Sequence, residues 1–143
     1  MRITFCSAPC GSGKTHQIVN RACEWAKIGR RVIVFQPTKE LIEKTVQGEL
    51  LQRPNPPTYK VFHGDTVSGS VALGLTDYLK QADEEGQIVF ATHQVLSHIG
   101  FWANQDTWNI FLDEAPQVLR HNSYEVPDTH ALITDLITLE PYN

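Results

Sequence analysis

Eight residues near the start of the chain, Ala8-Pro9-Cys10-Gly11-Ser12-Gly13-Lys14-Thr15, restrict the possible folds more than any other stretch. They follow an apolar run, Ile3-Thr4-Phe5-Cys6, which predicts a first strand. They lead into residues 14–28, where Ile18, Ala22, Trp25 and Ala26 recur at helical spacing and Gly29 supplies a stop. A glycine-rich turn between a strand and a helix lets successive backbone N–H groups point inward and cradle an anion. The helix that follows offers its free N–H groups and positive dipole end to the same anion. The octet therefore reads as a phosphate-binding loop, with Ala8 in place of the usual first glycine. In such a loop Lys14 reaches the β- and γ-phosphates of a nucleotide, and the Thr15 hydroxyl ligates Mg2+. Residues Ala8, Pro9, Cys10, Gly11, Ser12, Gly13, Lys14, Thr15 and His16 form the expected nucleotide site. The Cys6-x3-Cys10 spacing beside His16 could suggest a bound metal, but phosphate and metal would compete for one space, so no zinc site is expected. A helix N-terminus lowers a thiol pKa, so modification of Cys10 is expected to block the nucleotide.

Further along, short β-branched or aromatic runs alternate with helical stretches. Val32-Ile33-Val34-Phe35 is apolar at every position, which suits a parallel strand buried on both faces. Strands are also expected at residues 59–62, 88–91 and 109–112. Helices are expected at 39–51, 75–84, 94–99 and 128–139, with a helical turn near 117–120, a loop at 54–57 and another at 67–74. This alternation predicts βαβ units, hence an α/β fold with a mainly parallel sheet in a three-layer α/β/α sandwich.

The 143 residues, 41% apolar and 20% charged, suit one globular domain. No apolar run approaches the roughly 20 residues needed to span a bilayer, so no membrane partner is expected. Three cysteines argue against a disulfide-stapled secreted chain, and a cytoplasmic location is the expectation. The net charge of −4 hides a division: residues 1–60 carry +6 and residues 61–143 carry −10. The basic first part leaves room for a nucleic-acid partner, although clustering on solvated helix faces explains it as well.

Phe111-Leu112-Asp113-Glu114 ends an apolar strand with two carboxylates, 98 residues after Thr15. Beside a phosphate-binding loop, Asp113 completes the Mg2+ surroundings, usually through coordinated water. Glu114 on the γ-phosphate side can polarise an attacking water. Lys14, Asp113 and Glu114 are thus the candidate catalytic residues, with Thr15 and Asp113 on the metal.

Together these motifs resemble the first RecA-like domain of superfamily 2 helicases, the DEAD/DEAH-box and related DExH group. Ala8 with Gly11-Ser12-Gly13-Lys14-Thr15 is similar to that group's phosphate loop, and Asp113-Glu114-Ala115-Pro116 to its motif II. Pro37-Thr38-Lys39-Glu40-Leu41 resembles motif Ia, His63-Gly64-Asp65 stands where the group has a glycine-rich backbone contact, and Ala91-Thr92-His93-Gln94-Val95-Leu96 resembles the next motif. The resemblance covers about residues 2–118 and implies a RecA-like P-loop NTPase fold, with ATP and Mg2+ as cofactors. It further implies contact of Pro37, Thr38, Lys39, Gly64, Thr92 and His93 with a DNA or RNA backbone. Without it, Pro37-Thr38-Lys39-Glu40 reads equally well as a helix start, Thr38 capping and Glu40 in the first turn.

The sequence departs from the pattern in several places. Pro116 replaces the usual Asp or His, no Ser-Ala-Thr motif follows, and no room precedes Ala8 for an adenine-reading glutamine motif. The resemblance implies a single ATP-binding lobe, residues 1–143, of a longer or truncated machine. A second RecA-like domain, in cis or in trans, would supply arginine fingers, each worth about 10³–10⁵ in rate. Two alternatives stay open: a non-catalytic nucleotide-binding interaction module, and another P-loop ATPase such as a packaging motor. Trp102 and Trp108 could stack on bases, but capping of the sheet edge is the expectation, and His93 and His98 are not expected to bind metal.

Overall fold

The computed structural model describes residues 7–9, 11–67, 69–81, 85–99, 102 and 104–115. The expected strand at residues 3–6, the turn at 117–120, the helix at 128–139, Cys10 and Pro116 lie outside them. Helix α1 spans Lys14–Lys27, β1 Arg31–Gln36, α2 Lys39–Thr45, β2 Tyr59–Phe62, α3 Val71–Gln81, β3 Ile88–Thr92, α4 His93–Leu96 and β4 Trp108–Leu112. The four strands form one parallel sheet in the order β2-β3-β1-β4. All their carboxyl ends therefore share one edge, where open α/β sheets bind ligands.

The continuous apolar run of β1 is explained by its two faces. Val32 and Val34 join α1, α2 and Ile88 and Phe90 of β3 in one core cluster. Ile33 and Phe35 join α3, α4 and Val89 and Ala91 in a second cluster on the other face. Helices cover both faces, as the three-layer expectation requires. Burial of each such side chain stabilises the fold by roughly 1.5–3 kcal/mol. Trp102 and Trp108 are both buried in the second cluster on that face of the sheet, and Trp108 is not a loop residue but the first residue of β4.

Helix α1 buries Val19, Ala22, Cys23 and Ala26, the i, i+3, i+4, i+7 pattern of a core-facing stripe. Of the expected stripe Ile18, Ala22, Trp25 and Ala26, the two alanines are buried, while Ile18 and Trp25 are partly buried and pack at its margin. Burial pushes the Cys23 thiol pKa up, against the smaller opposing pull of Arg53 and Lys27. Gly29, at φ +81°, takes the left-handed conformation that ends α1, and its N–H donates to Ala26 O at 3.0 Å. Gly86 closes against the same turn: a Cβ there would lie 2.5 Å from Ala26 O, at φ +71°.

Two helices depart from expectation. The expected loop at 67–74 is already helical from Val71 onward. Gly74 sits inside α3 because Val67 Cγ1 occupies the space beside it, 3.1 Å from where a Cβ would stand. Ser70 Oγ accepts from Leu73 N at 3.4 Å at the start of the helix, which is described as far as Gln81; the expected helical residues 82–84 lie outside the described residues. The helix expected over 39–51 is α-helical only to Thr45, then widens into a π-helix at Val46–Leu50. The wider turn carries Glu49, whose carboxylate meets His16 Nδ1 at 2.6 Å. Arg53 Nε donates to Glu49 O at 3.0 Å, and its Nη2 donates to Asn20 Oδ1, which ties this segment to α1. No helix among the described residues is long and apolar enough to cross a membrane.

Candidate functional site

Gly11 and Gly13 take φ values of +75° and +79°, and a Cβ at either position would meet nothing within 4 Å. Backbone conformation, rather than crowding, demands glycine at both. Gly13 is also the N-cap of α1 and offers no side chain to its free N–H groups. Those donors are left for an anion. Lys14 folds back over the loop, donating from Nζ to Ala8 O and to Pro9 O, each at 2.9 Å. Ser12 N donates to Pro9 O at 3.3 Å and completes the turn.

Thr15 Oγ1 donates to Asp113 Oδ2 at 2.8 Å across 98 residues of sequence. The ladder that pairs β1 with β4 continues one step further, Asp113 N donating to Phe35 O at 2.9 Å, which fixes the carboxylate opposite the loop. Asp113 is buried, at 2% exposure. Its Oδ2 also accepts from Gln36 Nε2 at 2.9 Å, and Gln36 Nε2 donates in addition to Thr45 Oγ1 at 3.0 Å. Glu114 is exposed and holds a positive φ of 73°, unusual for a side chain of this kind. Thr15 uses its hydrogen on Asp113, so its oxygen lone pairs stay free for a cation. A hydroxyl and a carboxylate side by side are the hard oxygen donors that Mg2+ prefers, and this donor set fits the metal. Among the described residues no cluster of three or more His, Cys, Asp or Glu could hold a metal by itself.

The sheet order sets the other candidates along the same edge. Gln36 stands opposite Thr92 in the register, and Phe62 opposite Ala91. The segments after β2, β3 and β1 therefore lie side by side: His63-Gly64-Asp65, Thr92-His93 and Pro37-Thr38-Lys39. Lys39 Nζ donates to Asp65 Oδ2 at 2.6 Å, which joins the outer two. That hydrogen bond, with the Asp65 charge, raises the Lys39 pKa, and the reverse interaction lowers that of Asp65. Thr38 Oγ1 caps α2 by accepting from Leu41 N at 3.2 Å. Hydrogen bonds from its own backbone and from Thr38 hold the Glu40 carboxyl below its ordinary pKa. The helix-start reading of this segment is thus realised in the structure. Thr92 is the N-cap of α4 without a side-chain cap bond, and His93 Nε2 is buried with no hydrogen-bond partner among the described residues.

Sequence reasoning named neither Gln36 nor Thr45. The available signal was an amide directly after four buried apolar residues, at the ligand edge of a parallel strand. It also missed the His16–Glu49 contact, which depends on the π-helix.

The DEAD/DEAH box helicase family model matches residues 2–139. The chain belongs to that family. No curated protein and no solved structure matches it. Its parallel sheet and flanking helices have the α/β, RecA-like arrangement of the family's first helicase domain, and the chain is a helicase-type ATP-binding domain. The family generally binds ATP with Mg2+ and acts on nucleic acid.

Proposed function

We propose that the chain is an ATP-binding and ATP-hydrolysing motor lobe of a nucleic-acid helicase or translocase, slow in turnover until a second RecA-like lobe joins it. The observation that carries this reading is the 2.8 Å bond between Thr15 of the phosphate loop and Asp113 after β4. It pairs the two groups that a magnesium-nucleotide site requires, on elements far apart in sequence.

In this reading the loop backbone at Gly11 and Gly13 and the start of α1, including His16, receive the phosphates. Lys14 exchanges the carbonyls of Ala8 and Pro9 for phosphate oxygens. Thr15 and Asp113 would hold Mg2+, Asp113 through water, and the ion would neutralise charge on the phosphates. Glu114, exposed beside them, accepts a proton from the attacking water. The water oxygen bonds to the γ-phosphorus as the bond to the β–γ bridging oxygen breaks, leaving ADP and phosphate. Thr38, Lys39, Gly64, Thr92 and His93, aligned at the same edge, would touch the strand's phosphates without reading bases.

Lys14→Ala is expected to abolish MgATP binding measured by calorimetry, and unchanged affinity would sink the reading. Addition of single-stranded DNA or RNA is expected to stimulate phosphate release by the wild-type chain supplemented with a second RecA-like lobe. Binding without turnover under those conditions would favour a nucleotide-binding interaction module instead.

A further inference from the structure

Gln36 belongs to no motif read from the sequence, yet it touches the carboxylate that the proposed function places beside the metal. It is fully buried at the carboxyl end of β1. Its Nε2 donates to Asp113 Oδ2 at 2.9 Å and to Thr45 Oγ1 at 3.0 Å. Those bonds use both amide hydrogens, and the carboxylate can only accept, so the amide is held in one orientation. Asp113 Oδ2 accepts from Thr15 as well, at 2.8 Å. One oxygen therefore carries donors from the phosphate loop and from β1.

The other end of the amide argues that this arrangement is not there for stability. Gln36 Oε1 is buried with no hydrogen-bond partner among the described residues. A buried carbonyl oxygen without a partner opposes folding. The four preceding residues, Val32, Ile33, Val34 and Phe35, are all fully buried and apolar. An apolar side chain at position 36 would continue that pattern and leave no oxygen unpaired. What it would lack is a donor for Asp113.

We propose that Gln36 is a positioning residue for metal-dependent nucleotide binding. Together with Thr15 it occupies Oδ2 of Asp113, which fixes the carboxylate plane and reserves Oδ1 for metal-bound water. Thr45, near the end of α2, aims the amide. The inference rests on the magnesium-nucleotide reading above and adds to it a residue that touches neither metal nor nucleotide.

The test is a Mg2+ titration of the binding of a fluorescent ATP analogue to the full chain, with thermal melts to confirm folding. Gln36→Met keeps the side-chain length and removes both donors. Its affinity for the analogue in EDTA should stay within about twofold of wild type, because the loop's phosphate contacts are untouched. The free Mg2+ giving half-maximal enhancement should rise about tenfold, equivalent to about 1.4 kcal/mol. In an Asp113→Asn background the same substitution should move that midpoint no further. Thr45→Val, which removes only the acceptor that aims the amide, should shift it by roughly threefold. A lower melting temperature with an unmoved Mg2+ midpoint is what a purely structural role gives, and it overturns the proposal. If Gln36→Met does not fold, the Thr45→Val midpoint decides in the same way. Absence of any Mg2+-dependent binding by the wild-type chain overturns the magnesium-nucleotide reading and this inference with it. Normal wild-type behaviour with unmoved variant midpoints overturns the inference alone.

Discussion

Replacing Asp65 with Asn asks whether Lys39 serves a nucleic-acid backbone. Lys39 Nζ lies 2.6 Å from Asp65 Oδ2, and both side chains are exposed, so the pair is a locally neutral unit at the sheet edge. A phosphate that takes Lys39 competes with the Asp65 carboxylate for its charge. Asp65→Asn removes that competitor, leaving one more positive charge for the backbone and one more phosphate whose counterion is released on binding. For a single strand each neutralised phosphate adds about −0.7 to the slope of log K against log salt. The variant's slope should therefore be steeper than wild type by about 0.7. Between 50 and 200 mM salt it should lose roughly 2.6-fold more affinity than wild type does, starting from tighter binding at low salt. Fluorescence anisotropy with a labelled oligonucleotide measures both quantities, and Lys39→Ala placed on top of Asp65→Asn should erase the added slope. An Asp65→Asn slope equal to that of wild type, or a gain that survives Lys39→Ala, refutes the assignment of Lys39.

Titration does not disturb that assay near neutral pH. The Lys39 hydrogen bond and charge hold the Asp65 pKa below its ordinary value. Its contribution is therefore complete above the ordinary carboxylate range and is lost as pH falls through the lowered folded value. Lys39 is raised, first by the hydrogen bond to Asp65 and then by its charge. Its contribution is complete below the ordinary lysine value and is lost as pH rises through the raised one. Between about pH 5 and pH 9 both groups stay charged, and the wild-type slope should not change with pH on account of this pair.

Glu114→Gln should lower turnover by about 10²–10⁴ with MgATP affinity nearly unchanged, as loss of a general base requires; intact turnover in a steady-state phosphate assay would remove Glu114 from that role. Glu114→Gly should lose turnover equally but keep its urea midpoint, because glycine relieves the φ of 73° at about the cost of its own extra chain entropy. Gly86→Ala places a Cβ 2.5 Å from Ala26 O at φ +71°. Left-handed strain and overpacking together should destabilise the chain by roughly 2–4 kcal/mol in urea unfolding. Thr38→Ala removes the cap on Leu41 N and should cost about 1 kcal/mol by the same measurement. A neutral result would mean that α2 starts without it.

The parts of the fold legible in the sequence are those set by local pattern. Val32 to Phe35 announces a doubly covered strand because both faces of β1 are buried, and Tyr59 to Phe62 is a strand as its short aromatic and β-branched run suggests. The phosphate loop and the Asp113-Glu114 pair are legible because their spacing carries the chemistry. What escaped depends on contacts across the chain. Gly74 reads as a loop residue until Val67 is seen beside it, and the π-helix at Val46–Leu50 leaves a 3.6-residue periodicity almost unchanged while redirecting Glu49 toward His16. Gln36 looks like the polar end of a strand before Pro37. Its partners Thr45 and Asp113 lie 9 and 77 residues away.

Strand order is the least legible property and the one with most consequence. Chain order alone would not place β1 between β3 and β4, yet that is where it lies. The residues after β1 thus stand between the acidic pair after β4 and the Thr92-His93 and His63-Gly64-Asp65 segments beyond. Gln36 faces Asp113 on one side and stands opposite Thr92 in the register on the other. Three residues further along the chain, Lys39 reaches Asp65. One short stretch, Gln36 to Lys39, therefore touches both the candidate metal carboxylate and the candidate backbone-binding edge. Movement of Asp113 on nucleotide binding would act on this stretch through two bonds, the one from Gln36 Nε2 to Asp113 Oδ2 and the one from Asp113 N to Phe35 O just before it. Gln36 substitutions should accordingly be read out against both ligands, MgATP and single-stranded nucleic acid.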